Sequence, residues 1–176
     1  MESRLKLLTE DIDEFVAGPS TAAVAIVIKP GPFILLVKRV VREDDPWSGQ
    51  IAFPGGRWNH EDRSIVETAL RELEEETGLS REAVEVLGQM RSITPANMPT
   101  LKVRPVLCKL LTETNLRPGP EVQNVFWLPL HGLRKKVVKV RTRHAPYQRL
   151  TLAYIYDGLV IWGMTARLVD RLIDVV

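Results

Sequence analysis

Cysteine is nearly absent from these 176 residues: Cys108 stands alone, which rules out an intramolecular disulfide. It lies within the apolar run LKVRPVLCKLL (101–111) with no nucleophile motif around it, and is expected to be a buried small side chain. Long hydrophobic runs are missing too, none approaching the roughly 18 residues that a membrane span requires. The start, MESRLKLLTEDIDEF, lacks the basic-then-apolar pattern of a secretory signal, so a cytoplasmic location is expected. The three histidines, His60, His131 and His144, are scattered without ligand spacing and read as surface residues. No repeat or low-complexity segment occurs. Nor does one sign of charge dominate. Lys and Arg number 24 against 22 Asp and Glu, a formal net charge of +2. That balance suits a small anionic substrate and is too slight to argue for nucleic acid.

What remains is ordinary globular composition, 45% apolar and 26% charged, with length for one domain, 1–176, and a sizeable core. The chain is organised around residues 55–79, GGRWNHEDRSIVETALRELEEETGL. Ser64 caps a helix that begins at Ile65, and Glu67 completes a capping-box pattern three residues on. Ile65, Ala69 and Leu73, flanked by Val66 and Leu70, form one apolar face. Gly78 suits the left-handed position that ends the helix. On another face Glu72, Glu75 and Glu76 lie side by side at spacings of three and four. Their mutual repulsion is unfavourable, and so is negative charge at the C-terminal end of a helix. A hard divalent cation such as Mg²⁺ would offset both. Taken alone, an acidic helix face is most often simply solvated. The flanks point elsewhere: Arg71 can orient a carboxylate, and Phe53-Pro54-Gly55-Gly56 forms a turn whose glycines let backbone amides approach a phosphate.

Elsewhere the periodicity predicts an amphipathic N-terminal helix over residues 4–16, carried by Leu5, Leu8, Ile12 and Phe15. Strands are predicted at 21–29, 33–39, 50–53, 84–93, 101–111 and 122–128, with Pro105 marking an edge or bulge. The first two are apolar almost throughout and should be covered on both faces. Residues 40–49 read as a loop, 129–133 as the start of a short helix, and 134–149 as a strongly basic, solvated loop. LTLAYIYDGLVIWG (150–163) reads as a hairpin about Asp157-Gly158, and residues 164–176 as an amphipathic helix. Trp47 and Trp58, flanking the glycine turn, are candidates for stacking on a base. Trp162 is expected in the core, and Met98 lies in a loop that could line a pocket.

The central stretch resembles the Nudix hydrolase signature, Gly-x5-Glu-x7-Arg-Glu-U-x-Glu-Glu-x-Gly-U, where U is bulky and aliphatic. Residues Arg71 to Leu79 match its second half at every specified position. The first half departs: glutamate is wanted at 63 and glycine at 57, where the chain has Arg63 and Arg57. Gly56-x5-Asp62 keeps the internal spacing with aspartate in place of glutamate, as though one residue were inserted before the helix. Either Glu61 or Asp62 is then left to support Arg71. The resemblance implies an α/β fold, an α/β/α sandwich with a mixed β-sheet between helices, and a homodimer.

Three further pieces resemble the coenzyme A pyrophosphatase branch of that family. They are Leu35-Leu36 to Arg39 with Ser48 to Gly56, Thr94-Pro95 with Val103 to Val106, and Ile161 to Arg167. Val40 and Asp44 depart from it, as does a loop one residue longer, in the segment expected to face the non-nucleotide half of the substrate. The resemblance implies hydrolysis of coenzyme A to 3′,5′-ADP and 4′-phosphopantetheine. ADP-ribose and dinucleoside polyphosphates are alternative substrates, and a non-catalytic nucleotide- or RNA-binding module is the rival class. In the enzymatic reading Glu72, Glu75 and Glu76 hold Mg²⁺ or Mn²⁺, and Arg71 orients them. Arg39, Gly55 and Gly56 meet the substrate. The general base is a glutamate of the cluster or Glu121. The basic run could meet a 3′-phosphate.

Overall fold

A computed structural model describes residues 2–10, 13–43, 47–140 and 148–175. The chain runs through helix α1 (Glu2–Leu7), strands β1 (Thr21–Lys29), β2 (Phe33–Arg39), β3 (Ile51–Ala52) and β4 (Gly55–Arg57), then helix α2 (Ile65–Thr77). A 3₁₀ turn leads into β5 (Val84–Gln89), β6 (Lys102–Leu110), β7 (Val122–Pro129), β8 (Arg134–Val140), β9 (Arg149–Tyr156), β10 (Leu159–Trp162) and helix α3 (Gly163–Ile173). β1 to β7 form a mixed sheet in which β1 and β6 are parallel and the other pairs antiparallel. β8, β9 and β10 form a second, three-stranded sheet.

Alternation along β1 divides the core. Ala23, Ala25 and Val27 join Leu35, Ile65, Ala69, Leu73 and Leu79 on the α2 side. Ala22, Val24, Ile26 and Ile28 meet Tyr154, Ile161, Ala166, Leu168 and Leu172 on the other. The predicted α/β/α layering therefore holds, with the hairpin sheet joining α3 in the second layer. Burying a leucine such as Leu73, which has no exposed surface, contributes about 1.5–3 kcal/mol.

The sheet forks at the place that matters for function. β1 and β2 pair only beside their turn, at Ile28–Ile34 and Lys29–Phe33. Beyond that β2 pairs with β3 and β1 with β4, so residues 51–57 fill the gap between them. Pro54 accepts from the Ala25 amide at 2.8 Å. The glycines expected in a turn thus lie in a short strand. The fork leaves Gly55 no room for a side chain: an added Cβ would fall 2.2 Å from the Ala23 carbonyl oxygen and 2.7 Å from the Val24 Cα.

Several expectations are corrected. The N-terminal helix ends at Leu7 rather than running to residue 16; Ile12 lies outside the described residues. Side-chain contacts hold Asp13 and Phe15 in place of a helix. Arg104, 1% exposed, pairs with Asp13 at 3.0 Å and lies over the Phe15 ring at 4.4 Å. β5 stops at Gln89, and only a bridge from Ile93 to Val103 continues it. Pro105 sits in the interior strand β6 and not at an edge, where β5 runs out and Met90 donates to its carbonyl. Residues 129–133 make no helix. Residues 134–140, read as loop, are β8, paired along its length with β9; Arg141, Arg143 and His144 lie outside the described residues. The hairpin is as predicted, with Asp157 and Gly158 both at positive φ, 45° and 78°, as a type I′ turn demands.

Gly55→Ala should lower the unfolding free energy by about 2 kcal/mol or more, because both obstructing atoms are backbone. Gly18→Ala, which meets nothing within 4 Å, should leave it unchanged. Paired urea melts measure the difference.

Candidate active site

Helix α2 carries the acidic face, and its ends are fixed as the sequence implies. Ser64 Oγ accepts from the Glu67 amide at 3.2 Å, while the Glu67 carboxylate reaches one residue beyond the cap to accept from Arg63 N at 2.7 Å. At the other end Gly78, φ 69°, donates to the Glu74 carbonyl. The adjoining loop completes the cap: Arg117 N donates to Thr77 O at 2.8 Å and Gly119 N to Glu76 O at 3.1 Å. Gly119 is required there, since a Cβ would lie 2.1 Å from the Glu75 carbonyl oxygen. That contact leads the chain into Glu121, just before β7.

Burial sorts the three helix glutamates. Glu76 is the deepest, its side chain 7% exposed, with Oε2 accepting from Gly55 N at 3.0 Å and Oε1 from Arg39 Nη1 at 3.2 Å. Burial pushes its carboxyl up to about 7, despite the Gly55 hydrogen bond and Arg39. Glu72 is raised as well, again first by burial, with Arg71 pulling the other way. It abuts Gly56 so closely that a Cβ there would fall 2.4 Å from its carboxyl carbon. Glu75 is 59% exposed and touches Arg71 at 3.3 Å.

Arg71 is tied on every side. Nε and Nη2 grip Asp62 Oδ1 and Oδ2, each at 3.0 Å. Nη1 reaches Glu72 at 2.7 Å, and Nη2 also donates to the Arg57 carbonyl. Asp62, its carboxylate 6% exposed, accepts further bonds from Thr68 Oγ1 and Asn59 N. The Arg71 hydrogen bonds chiefly hold its carboxyl down to about 2. The choice left open between Glu61 and Asp62 falls to Asp62; Glu61 is exposed.

Of the remaining candidates, Arg39 and Glu121 join the cluster. Arg39 Nη2 pairs with Glu121 Oε2 at 3.3 Å, and Arg42 with Glu121 Oε1 at 3.4 Å. The Arg39–Glu76 pair escapes sequence reasoning. It depends on β2 and α2 meeting across the fork, and no local sequence signal carries that. The tryptophans part company: Trp47 packs against the α3-side core and Trp58 against the α2-side core. Trp162, half-buried, precedes α3, and Met98 packs at the α3-side core with Arg57 Nη2 against its sulfur at 3.2 Å. His60 and His131 are exposed, as expected. Cys108 is fully buried, and burial pushes its thiol up to about 12, which suits no nucleophile.

Among the described residues no three acidic, histidine or cysteine side chains converge, as they stand, to hold one metal ion. The donor chemistry nonetheless fits a hard divalent cation. Glu72 and Glu76 are desolvated carboxylates that repel each other and Glu121, and each carries oxygen ligands of the kind Mg²⁺ and Mn²⁺ take. Arg39 and Arg71 supply compensating positive charge.

A fold with a carboxylate-lined helix end facing a glycine strand is the setting in which the comparisons with known proteins fall. The NUDIX domain family matches residues 18–150. An uncharacterized Nudix hydrolase, NudL, of Pectobacterium atrosepticum is 33% identical over 153 residues, covering 85% of this chain and 78% of that protein. NudL of Escherichia coli is 33% identical over 177 residues, covering 97% and 90%. The chain belongs to the Nudix hydrolase family. Solved structures agree on the fold. A MutT/nudix family protein from Enterococcus faecalis has a TM-score of 0.55 at 20% identity, over 94% of this chain and 66% of that one. A C. elegans Ap4A hydrolase has a TM-score of 0.52 at 19% identity, over 62% and 80%. No helix of the described residues is long and apolar enough to cross a membrane.

The folded state holds the Glu76 proton more tightly than the unfolded chain does. Its contribution to stability is therefore complete below the ordinary glutamate value of 4.5 and is lost as pH rises through about 7. In EDTA, Glu76→Gln should raise stability at pH 8 by about 2–3 kcal/mol at most and change it little at pH 4. Thermal melts of both proteins across that range provide the check.

Proposed function

We propose that this chain is a metal-dependent pyrophosphohydrolase that cleaves the diphosphate of coenzyme A or its derivatives to 3′,5′-ADP and 4′-phosphopantetheine. The observation that carries the reaction is the placement of two desolvated carboxylates, Glu72 and Glu76, against the backbone of Gly55 and Gly56. Two desolvated carboxylates side by side are costly unless positive charge offsets them, and a divalent cation does so most fully. The substrate class rests on the segments at 35–56, 94–106 and 161–167 that resemble the coenzyme A pyrophosphatase branch.

In this reading Glu72, Glu75 and Glu76 hold Mg²⁺ or Mn²⁺. When bound, the ion neutralises the diphosphate and makes a water more acidic for attack on phosphorus. Arg71, itself locked by Asp62, fixes Glu72 and Glu75 in place. The unsubstituted backbone of Gly55 and Gly56 lets this strand lie against β1 and the Glu72 carboxylate, which brings backbone polar groups to the acidic end of α2 where the diphosphate would bind. Glu121 and Glu75 are the carboxylates open to solvent, where a base must stand to take a proton from water. With Glu75 committed to the ion, Glu121 is assigned as the base. In the same reading the exposed Arg134, Lys135, Lys136, Lys139 and Arg149 of β8 and β9 are the basic surface offered to a 3′-phosphate.

The purified protein should release 3′,5′-ADP from coenzyme A with Mg²⁺ or Mn²⁺ and none with EDTA, read by chromatography and mass. Glu75→Gln and Glu76→Gln should each lose about 100-fold or more in kcat while remaining folded. Faster turnover of ADP-ribose or a dinucleoside polyphosphate would move the substrate and keep the mechanism. Nucleotide binding without turnover of any of them would favour a binding module.

A further inference from the structure

The two arginines at the carboxylate cluster are held in different ways. Arg71 is built in: its guanidinium meets Asp62, Glu72, Glu75 and the Arg57 carbonyl, and Asp62 alone engages two of its nitrogens. Arg39 instead reaches across from the end of β2, at the point where its pairing with β7 slips register. It joins carboxylates from two separate elements, Glu76 on α2 at 3.2 Å and Glu121 before β7 at 3.3 Å. Both contacts are longer than the roughly 2.7–2.9 Å of strong charge-assisted pairs. The Arg39 guanidinium therefore sits between two carboxylates as a bridging cation, 18% exposed, on the oxygen of Glu76 that Gly55 leaves free.

We propose that Arg39 is a placeholder cation: it bridges Glu76 and Glu121 while no divalent ion is bound, competes with that ion, and swings free when the ion enters. The inference rests on the proposed role of Glu76 as a metal ligand. Its physical basis is that Glu76 Oε1 cannot accept from Arg39 and ligate an ion in the same direction. An ionised carboxylate at that depth is unfavourable without a cation beside it, so a cation accompanies the ionised form whether or not the divalent ion is bound. The ion's apparent affinity is then its intrinsic affinity reduced by the fraction of molecules in which Arg39 has let go. Release also removes one of the two guanidiniums that Glu121 contacts. The freed Arg39 has a planar donor fork that suits a diphosphate. Arg39 is thus a positioning residue in the metal-free protein, and it couples ion binding to the opening of the site.

The test is calorimetric titration of Mn²⁺ into EDTA-stripped wild type, Arg39→Gln, Arg39→Lys, Arg42→Gln and Glu76→Gln. Arg39→Gln should bind Mn²⁺ several-fold more tightly than wild type, and its stripped form should melt at a lower temperature at pH 8. Arg39→Lys, which keeps the charge, should stay near wild type. Arg42→Gln, which touches Glu121 and not Glu76, should shift affinity less. A folded Arg39→Gln protein whose Mn²⁺ affinity is unchanged or weaker overturns the proposal. A second measurement needs no variant. In arginine side-chain NMR of wild type, saturating Mg²⁺ should free rotation of the Arg39 guanidinium while Arg71 stays fixed; an Arg39 that remains restrained also overturns it. Wild type that takes up no Mn²⁺, indistinguishable from Glu76→Gln, would sink the metal-site reading and this inference together. Mn²⁺ uptake lost in Glu76→Gln but indifferent to Arg39 would sink this inference alone.

Discussion

The hydrogen bond from the Gly55 amide to the Glu76 carboxylate is the contact on which the rest of the site depends. To make it, a backbone N–H must reach α2 near its C-terminal end, where a continuous sheet would present side chains. The chain solves this by splitting β1 from β2 after two residue pairs and inserting residues 51–57 into the fork. The insertion works only with glycine. Gly55 lies against the backbone of β1, and Gly56 lies under the carboxylate of Glu72. Two glycines in a strand weaken it in isolation, yet here they set the distance between sheet and helix at the acidic end.

The same helix end would be a weak point without its loop. Its last carbonyls need partners, and the acidic residues beside them oppose the helix dipole. Residues 117–119 supply two amides to the carbonyls of Glu76 and Thr77, so the helix keeps its last turn under that load. Because Gly119 touches the helix backbone directly, Glu121 arrives at the cluster as a consequence of capping. Stability of the helix end and placement of the fourth carboxylate are one arrangement. A residue change in 117–119 that loosened the cap would also move Glu121.

What was legible in the sequence was what short-range chemistry decides. Ser64, Glu67 and Gly78 bound α2 to the residue, and Asp157-Gly158 turns the hairpin as its chemistry requires. The clustering of Glu72, Glu75 and Glu76 on one face follows from their spacing, whereas their unequal burial is set by residues 55–57 and Arg39. The illegible parts are settled by partners far along the chain. β8 reads as loop because its residues are mostly basic and largely exposed; only pairing with β9 makes it a strand. The N-terminal segment has a helical rhythm past Leu7, yet Asp13 and Phe15 are claimed by the buried Arg104, distant in sequence, and that ion pair and ring contact outweigh local propensity. The Arg39–Glu76 pair is of the same kind.

Asp62 shows how a departure from a pattern can preserve the geometry the pattern serves. Aspartate is one methylene shorter than glutamate, so at an unchanged spacing it would fall short of Arg71. Here the spacing to Arg71 is one residue longer, and the added length lies in the turn of residues 59–62, where Asn59 and Asp62 bond to each other. The turn carries the backbone towards α2, and Thr68, fully buried on the helix, donates to one Asp62 oxygen at 2.8 Å. The result is a two-pronged grip on Arg71 at 3.0 and 3.0 Å, with the carboxylate nearly closed to water. A shorter side chain on a longer turn has fewer rotamers to freeze, so orienting Arg71 this way costs less side-chain entropy than a glutamate would. The rigid arginine in turn fixes Glu72 and Glu75. Arg39, by contrast, contacts Glu76 and Glu121 and takes no part in the Asp62–Arg71–Glu72 set, so its release would leave that set intact.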